Sequence, residues 1–228
     1  LFEAGRFDEA LPVCQRLEPV VEEGQDMDDF DVRMELSQFY FYFAEMLNLA
    51  EGGVEAVSRY ERALDLNPTH LASLEAIGPL YVETEQWKKA ERVYRQLLQL
   101  SGGQGEREKV ASTYTELGLV ERKLGNVEKA YKRFNKALEI YPNHTKALKG
   151  MAFILGDRAD WRGLLEIYNH IIYHATNPDD VIDAYMCKGR ILDTAMDRPD
   201  KAAQHYERSL AFDGNQPVAL LRLARLRS

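Results

Sequence analysis

Three side chains near residue 170 have the types and the spacing of a metal site. Glu166, His170 and His174 follow one another at intervals of four residues, which places them on one face of a helix, and both residue types are zinc ligands. The spacing fixes no further ligand. His174 also stands at a helix end where comparable segments carry Leu66, Leu100 and Ile140, so we expect it to pack in the core. The sequence therefore predicts no metal and no cofactor.

Two short motifs have chemical interpretations that their surroundings do not favour. Gly102–Gly105 is glycine-rich, but neither a preceding strand nor the following Lys and Ser or Thr of a phosphate-binding loop is present, so we expect a connector. Residues 143–145 form a glycosylation sequon, Asn-His-Thr, in a predicted turn where Asn is favoured in any case. Because no spacing fixes a nucleophile, a base or a ligand set, the sequence predicts a protein that is not an enzyme.

Composition excludes several classes of partner. The 228 residues include 29 Lys+Arg and 37 Asp+Glu, a net charge of −8, whereas nucleic-acid binding requires a basic surface. No apolar run approaches the ~18 residues of a membrane-spanning helix. Two cysteines are too few for a disulfide framework. The chain begins at Leu1, as a fragment would, so its compartment is unknown and cytoplasm is only the default expectation.

An internal repeat organises the chain. Residues 56–68 and 130–142 share an alanine, an aromatic residue four places later, a second alanine at +7 and a proline at +12. The same frame begins again at spacings of 34 to 46 residues, and its anchors are Ala10, Ala56, Ala90, Ala130, Leu164 and Ala202. Because a period of this length marks a repeat architecture, we predict that one unit is copied along the chain.

A second amphipathic segment precedes each anchor. Tyr114, Leu117 and Gly118 before Ala130 show its helical spacing most clearly. We call this segment helix A and the segment that carries the anchor helix B. Small residues such as Gly118 and Ala130 allow two antiparallel helices to approach closely where each faces a bulky partner. The sequence thus predicts a helical pair that stacked neighbours must cover.

This pattern resembles the tetratricopeptide repeat family, with its 34 residues, two helices, small close-packing residues and closing proline. The resemblance covers nearly the whole chain and implies an all-α fold, a right-handed superhelical solenoid of antiparallel helix pairs. The copy near 145–178 departs from the pattern, because Leu164 replaces the anchor alanine and no proline closes it. We predict a partial repeat at 1–20, repeats near 37–70, 71–104, 111–144, 145–178 and 182–215, and a partial repeat at 216–228.

Helix boundaries follow from the same frame. Trp87 and Trp161 each stand three residues before an anchor, and we expect them to be core wedges at the turn between helices A and B rather than ligand platforms. The acidic segment 22–31 is interpreted as an insertion. We predict helices near 8–21, 34–50, 54–66, 71–84, 87–100, 107–124, 127–140, 145–157, 161–174, 179–195, 199–212 and 216–227.

The resemblance also implies a binding surface, because in this family the A helices line a concave groove that holds a partner segment. Carried onto this chain, the groove residues are Phe41, Glu45, Asn48, Glu75, Val82, Thr115, Leu119, Arg122, Lys146, Lys149, Phe153, Met186 and Arg190. As a set, they include several apolar side chains that would be exposed, which is typical of an interaction surface.

The charge of this predicted groove changes along the chain from acidic to basic. A basic section from Arg122 to Arg190 runs against the net charge of −8, so we expect it to receive an acidic partner segment, with Phe153 as an apolar anchor. The alternative is that Lys146 and Lys149 only pair with carboxylates on neighbouring A helices.

The leading hypothesis for function is a non-enzymatic protein–protein interaction scaffold that binds a partner peptide or protein segment in the groove. A second hypothesis is a regulatory or substrate-recruiting region of a larger enzyme whose catalytic domain lies outside this sequence. A third is self-association through open solenoid ends, where the last helix would expose Leu220, Leu223 and Ala224. The identity of the partner is not encoded in any motif we recognise.

Overall fold

The computed structural model describes residues 7–50, 52–101 and 107–227, and the regular secondary structure in these ranges is entirely helical. The predicted connector Gly102–Gly105 lies outside them. The all-α prediction is confirmed. The helices are α1 (Phe7–Leu17), α2 (Phe30–Ala50), α3 (Gly53–Leu66), α4 (Leu71–Glu83), α5 (Trp87–Leu100), α6 (Arg107–Lys123), α7 (Val127–Ile140), α8 (Thr145–Asp157), α9 (Trp161–His174), α10 (Pro178–Thr194), α11 (Pro199–Phe212) and α12 (Pro217–Arg227).

Two helix ends differ from the prediction by several residues. α1 ends at Leu17 rather than near residue 21, because Pro19 disfavours helical geometry in the residue before it. α2 begins at Phe30 rather than near residue 34, because the Asp29 carboxylate accepts a hydrogen bond from the backbone N–H of Asp31 at 2.8 Å. This is an N-cap, and it lies inside the segment that we interpreted as an acidic insertion.

Contacts divide the chain into two compact units, residues 1–104 and 105–228. In the first unit α2 packs on α3 and α4 packs on α5; in the second, α6, α8 and α10 pack on α7, α9 and α11, and α12 packs on α11. Each helix therefore contacts mainly its neighbours in the chain, as stacked helical pairs require. The A helices are α2 and α4 in the first unit and α6, α8 and α10 in the second.

Glycine permits close helix packing around Phe134 in the second unit. A Cβ added at Gly118 would lie 2.7 Å from Phe134 Cε1, and one at Gly150 would lie 2.5 Å from Phe134 Cζ. The fully buried Phe134 ring is thus flanked by glycines from the A helix of its own pair and from that of the next. Gly189 stands in the same relation to Tyr206, at 2.6 Å. These contacts confirm the predicted pairing of small and bulky residues.

Two histidines cap A helices in the same way, one in each unit. His70 Nδ1 accepts a hydrogen bond from the Ser73 N–H at 3.2 Å, and its Nε2 lies 3.2 Å from Gln38 Oε1 on α2. His144 caps α8 with its Nδ1 at 3.3 Å and places its Nε2 3.0 Å from the Ser112 hydroxyl on α6. Burial lowers the pKa of both imidazoles, which favours the neutral form that capping requires. Each histidine therefore joins consecutive A helices.

The prediction that His174 packs in the core is wrong. Its side chain is exposed, and its ring lies against the His170 ring with centroids 4.6 Å apart. Leu100 stands at the position equivalent to His174 in another repeat, and it is also exposed. Leu66, at the same position of an earlier repeat, is buried. Because helix B ends here in each copy, burial depends on how the next connection covers that end, and the repeat frame does not specify this.

Candidate partner-binding surface

In the first unit, two predicted groove residues are held by contacts within the chain. The Phe41 ring packs against the rings of Tyr60 and His70, with centroids 6.2 and 5.1 Å away. Fully buried Tyr60 donates its hydroxyl hydrogen bond to Glu45. Burial and this carboxylate acceptor raise the pKa of Tyr60. Phe41 and Glu45 therefore stabilise the first unit itself.

The other predicted residues of the first unit lie closer to its surface. Asn48 is exposed near the end of α2, whereas Glu75 and Val82 are half-buried on α4. Of the five residues predicted here, Asn48 is thus the most open to solvent.

In the second unit, the placement of Thr115 in the groove is wrong. Thr115 is completely buried, and its hydroxyl donates a hydrogen bond to the backbone oxygen of Ala111 at 2.8 Å. This bond within the helix allows a polar side chain to be buried without an unpaired donor. Leu119 is half-buried against the cluster around Phe134. The repeat frame assigns a helix face, but it does not show how closely neighbouring helices cover that face.

The two lysines of the predicted basic section are paired with carboxylates. Lys146 Nζ lies 2.5 Å from Glu116 Oε1 on α6, and Lys149 pairs with Asp180 on α10. Both partners belong to neighbouring A helices, which is the alternative that the sequence left open. Such exposed pairs stabilise a protein by under ~1 kcal/mol, but they neutralise the positive charge that an acidic partner would meet.

Phe153 on α8 is the predicted groove residue with the most exposed ring, at 52%. The Arg122 guanidinium stacks on that ring, with Cζ 4.1 Å from its centroid. The Nε of Arg122 is buried without a hydrogen-bond partner. Aromatic residues and arginine are enriched at protein interfaces, so an exposed ring with an arginine stacked on it is typical of a binding surface.

The last two predicted residues lie on α10. Met186 is half-buried, and its sulfur accepts a hydrogen bond from the Ser209 hydroxyl at 3.2 Å. Arg190 is exposed and has a weak contact of 4.0 Å with the Cys187 sulfur. Within the described ranges, Arg190 and Arg122 form no ion pair. The positive charge of this face therefore comes from the two arginines rather than from the lysines.

A cleft that the sequence did not predict lies between α8, α9 and α10. It measures about 390 Å³, and its lining includes Phe153, Gly156, Trp161, Tyr168 and Arg190. Trp161 is half-buried and packs one side on the core, so it is both a wedge and part of this cleft. The sequence signal that could have found the cleft is Gly156, because the equivalent positions of other repeats carry larger side chains.

No three His, Cys, Asp or Glu side chains come close enough to hold a metal ion in the parts of the chain that the structure describes. The Nε2 atom of His170 instead lies 2.9 Å from the Oδ1 atom of Asn143. Asn143 is the asparagine of the sequon, and it is exposed in the turn before α8. The two cysteines are half-buried and not joined by a disulfide. Among the described helices, none is both long enough and apolar enough to cross a bilayer.

Comparison with known proteins identifies the repeat. Tetratricopeptide repeat models match residues 111–144 and 73–108. Superkiller protein 3 of Schizosaccharomyces pombe is 27% identical to this chain over 128 residues, which is 56% of the chain. The match spans only 9% of that protein, so the chain corresponds to a small part of its length.

Solved structures share the fold. YrrB, a TPR protein with an unusual peptide-binding site, is 20% identical with a TM-score of 0.62, over 86% of this chain and 97% of its own. MamA is 16% identical with a TM-score of 0.67, over 79% of this chain and 93% of its own. The C-terminal part of a TPR repeat-containing protein from Cytophaga hutchinsonii is 18% identical with a TM-score of 0.66, over 98% of this chain and 96% of its own. Residues 73–108 and 111–144 are therefore tetratricopeptide repeats, and the chain shares the fold of these solved structures.

Proposed function

We propose that this chain is a non-enzymatic protein–protein interaction scaffold that binds a partner segment on the A helices α6, α8 and α10. The observation that carries the proposal is the surroundings of Phe153, a 52% exposed ring with Arg122 stacked on it. The positions equivalent to Phe153 in two other repeats hold Glu45, which accepts a hydrogen bond from Tyr60, and Leu119, which is half-buried. Burial of an exposed aromatic ring by a partner is favourable in proportion to the apolar area removed from water.

The known proteins with this fold support the same class of function. YrrB has a peptide-binding site, and it covers most of this chain. At 20% identity this likeness extends to the fold and not to the residues of a site. The support for a particular surface therefore comes from Phe153, Arg122 and Arg190 themselves.

The proposed partner segment is apolar with limited acidic character. Lys146 and Lys149 are neutralised by carboxylates within the chain, so they add little attraction for an anion. Arg122 and Arg190 keep their charge available. We therefore propose one or two carboxylates in the partner rather than a long acidic tract.

Self-association is a separate proposal that rests on α12. Of the apolar residues predicted to be exposed on this helix, Leu220 is exposed but Leu223 is buried in the core. Val218 and Leu221 are 59% and 72% exposed, which leaves apolar surface that a second copy could cover. Sedimentation velocity over a range of concentrations tests it: a single monomeric species throughout would contradict self-association. Nothing in the structure favours the hypothesis of a regulatory region of an enzyme, which stays a prediction.

Selection of random peptides displayed on phage against the whole chain tests the scaffold proposal. We expect enriched peptides whose affinity falls at least about tenfold in Phe153→Ser, because aromatic anchors carry much of the binding energy. Tyr173→Ser is the matched control, since Tyr173 is an 81% exposed aromatic residue on helix B of the same pair. Failure to enrich any peptide, or equal losses in both variants, would contradict the proposal.

A further inference from the structure

We propose that the cleft between α8, α9 and α10 is an anchor site for a partner segment that carries a bulky apolar side chain next to a carboxylate. This inference rests on the proposed function and gives the chemistry that the scaffold selects. It follows from the apolar lining, from the glycine that opens the cleft, and from the arginine at its edge.

The lining of the cleft is suited to one large apolar side chain. Ala152, Leu164 and Ile191 are buried core residues that contribute to it, and the Trp161 ring adds aromatic surface. Its volume of about 390 Å³ is near the lower end of the range of pockets that hold small ligands. The cleft therefore has room for a single anchoring side chain.

Gly156 keeps this space open. A Cβ added there would have Leu164 Cδ2, at 3.8 Å, as its nearest neighbour, so a side chain would extend into the cleft without a clash at its base. This differs from Gly150 on the same helix, where a Cβ would lie 2.5 Å from the Phe134 ring. Glycine is a poor helix former, and close packing does not require it at residue 156. An open cleft is the structural consequence of glycine at this position.

The charged groups around the cleft favour a carboxylate. Arg190 lines it and is exposed, and among the described residues its hydrogen-bond partner is the weakly accepting Cys187 sulfur. Asp157 also lines the cleft but forms no ion pair with Arg190. Arg122 adds a second cation beside Phe153. A guanidinium binds a carboxylate in a two-pronged geometry, which gives the cleft a preference for acidic over basic neighbours of the apolar side chain.

The occupant is a peptide segment rather than a free small molecule. Phe153 lines the cleft and is 52% exposed, so apolar contact surface continues from the cleft along α8. A free apolar acid would fill the cleft but leave part of this ring in water, whereas a peptide would cover more of it. We therefore expect a peptide to bind more tightly than its isolated anchor group.

Nuclear magnetic resonance with a defined probe tests the cleft directly. The probe is the heptapeptide Ser-Gly-Glu-Phe-Glu-Gly-Ser with blocked ends, titrated into the whole chain up to about 1 mM. The chain has two tryptophans, so its indole N–H signals report Trp161 in the cleft and Trp87 in the first unit. We expect the Trp161 signal to shift and the Trp87 signal to stay. Peptides with Ser for Phe, or Lys for both Glu residues, should not shift either signal.

Two variants separate the cleft from the wider surface. Gly156→Leu should abolish the Trp161 shift, while an unchanged Trp87 signal and a melting temperature no lower than that of the parent show that the fold is kept. Arg190→Gln should weaken binding about tenfold through loss of a charge-assisted hydrogen bond. No Trp161 shift, or equal binding by Gly156→Leu, would overturn the cleft proposal. Equally tight binding of free 3-phenylpropionate would overturn the peptide as occupant. Phage-selected peptides that still bind Gly156→Leu but not Phe153→Ser would leave the scaffold proposal standing.

Discussion

Phe41 on α2 and Phe153 on α8 are both aromatic residues on A helices, and the structure gives them different surroundings. Phe41 packs between the rings of Tyr60 and His70. Phe153 has the Arg122 guanidinium on one side and is otherwise half exposed. Equal residue types on equivalent helices therefore stabilise the protein in one unit and remain available to a partner in the other.

The helix B aromatic residue explains part of this difference. Tyr60 is buried with a hydroxyl that needs an acceptor, and Glu45 supplies it. Phe134 has no hydroxyl, and the position equivalent to Glu45 is the apolar Leu119, which packs on the same cluster. A charged residue on an A helix is thus not evidence for a binding site until its partner on helix B is known.

The largest effect is expected where the second unit is most tightly packed. Gly150→Ala should lower the free energy of unfolding by about 2 kcal/mol, because its Cβ would lie 2.5 Å from the Phe134 ring. Gly156→Ala is the matched control on the same helix and should raise it by up to about 1 kcal/mol through helix propensity. Urea unfolding measures both. Equal effects would show that the packed and open parts of α8 do not differ as described.

Removing Glu45 tests whether the first unit uses it for stability. Glu45→Leu should cost about 1–2 kcal/mol, because it leaves the buried Tyr60 hydroxyl without its acceptor. The double variant Glu45→Leu/Tyr60→Phe should recover most of this loss, since it reproduces the Leu119 and Phe134 pair. Phe153→Ser should change the free energy of unfolding by less than about 0.5 kcal/mol. A partner affinity that fell in Glu45→Leu as in Phe153→Ser would contradict the comparison.

Each unit contains one capping histidine, and these two residues predict that the stability of the protein depends on pH. Burial lowers the pKa of His70 and His144 in the folded state below the ordinary value of 6.5. These two histidines then bind protons more readily in the unfolded chain. Their contribution to the free energy of unfolding is therefore complete above about pH 6.5 and is lost as the pH falls below that value. Each cap contributes about 1 kcal/mol.

Asparagine tests this assignment, because it caps a helix without titrating in this range. We expect the parent to lose more stability than His70→Asn/His144→Asn between about pH 7.5 and about pH 5. Both proteins keep the part that comes from His205, because burial lowers the pKa of that imidazole to about 4. An unchanged pH dependence in the double variant would assign the effect to other groups.

The smallest effect is expected at the lysine pairs. Lys146→Gln/Lys149→Gln removes two exposed ion pairs, so it should change the free energy of unfolding by under ~1 kcal/mol. Partner affinity, measured by calorimetry with a phage-selected peptide, should change less than about threefold, against about tenfold for Arg190→Gln. A larger loss in the lysine variant would restore the broad basic groove that the sequence suggested.

The fold was closely predictable from the sequence because the same pattern of residues recurs in successive repeats. Small residues such as Gly118 and Ala130 recur at fixed distances, and a single helical pair has few ways to bury them. The helix boundaries depend on local capping, which the repeat does not encode, so the Asp29 cap and the start of α2 were missed.

The proposed binding surface was less predictable, because the exposure of its side chains depends on the neighbouring repeat. Thr115 has the correct register for the groove, but it is fully buried. Lys149 is on the predicted face, yet its charge is taken by Asp180, more than thirty residues away in the sequence. The Gly156 cleft depends on three helices at once. Such long-range relations require the structure.

The central claim is that a partner segment binds the A helices of the second unit and not those of the first. Backbone amide shifts of the whole chain on addition of the tightest phage-selected peptide measure this directly. We predict that the large shifts fall on α8 and α10 around Phe153 and Arg190 and on α9 at Trp161, with α2 and α4 unchanged. Shifts centred on α2 and α4, or on the B helices α7 and α11, would contradict the account.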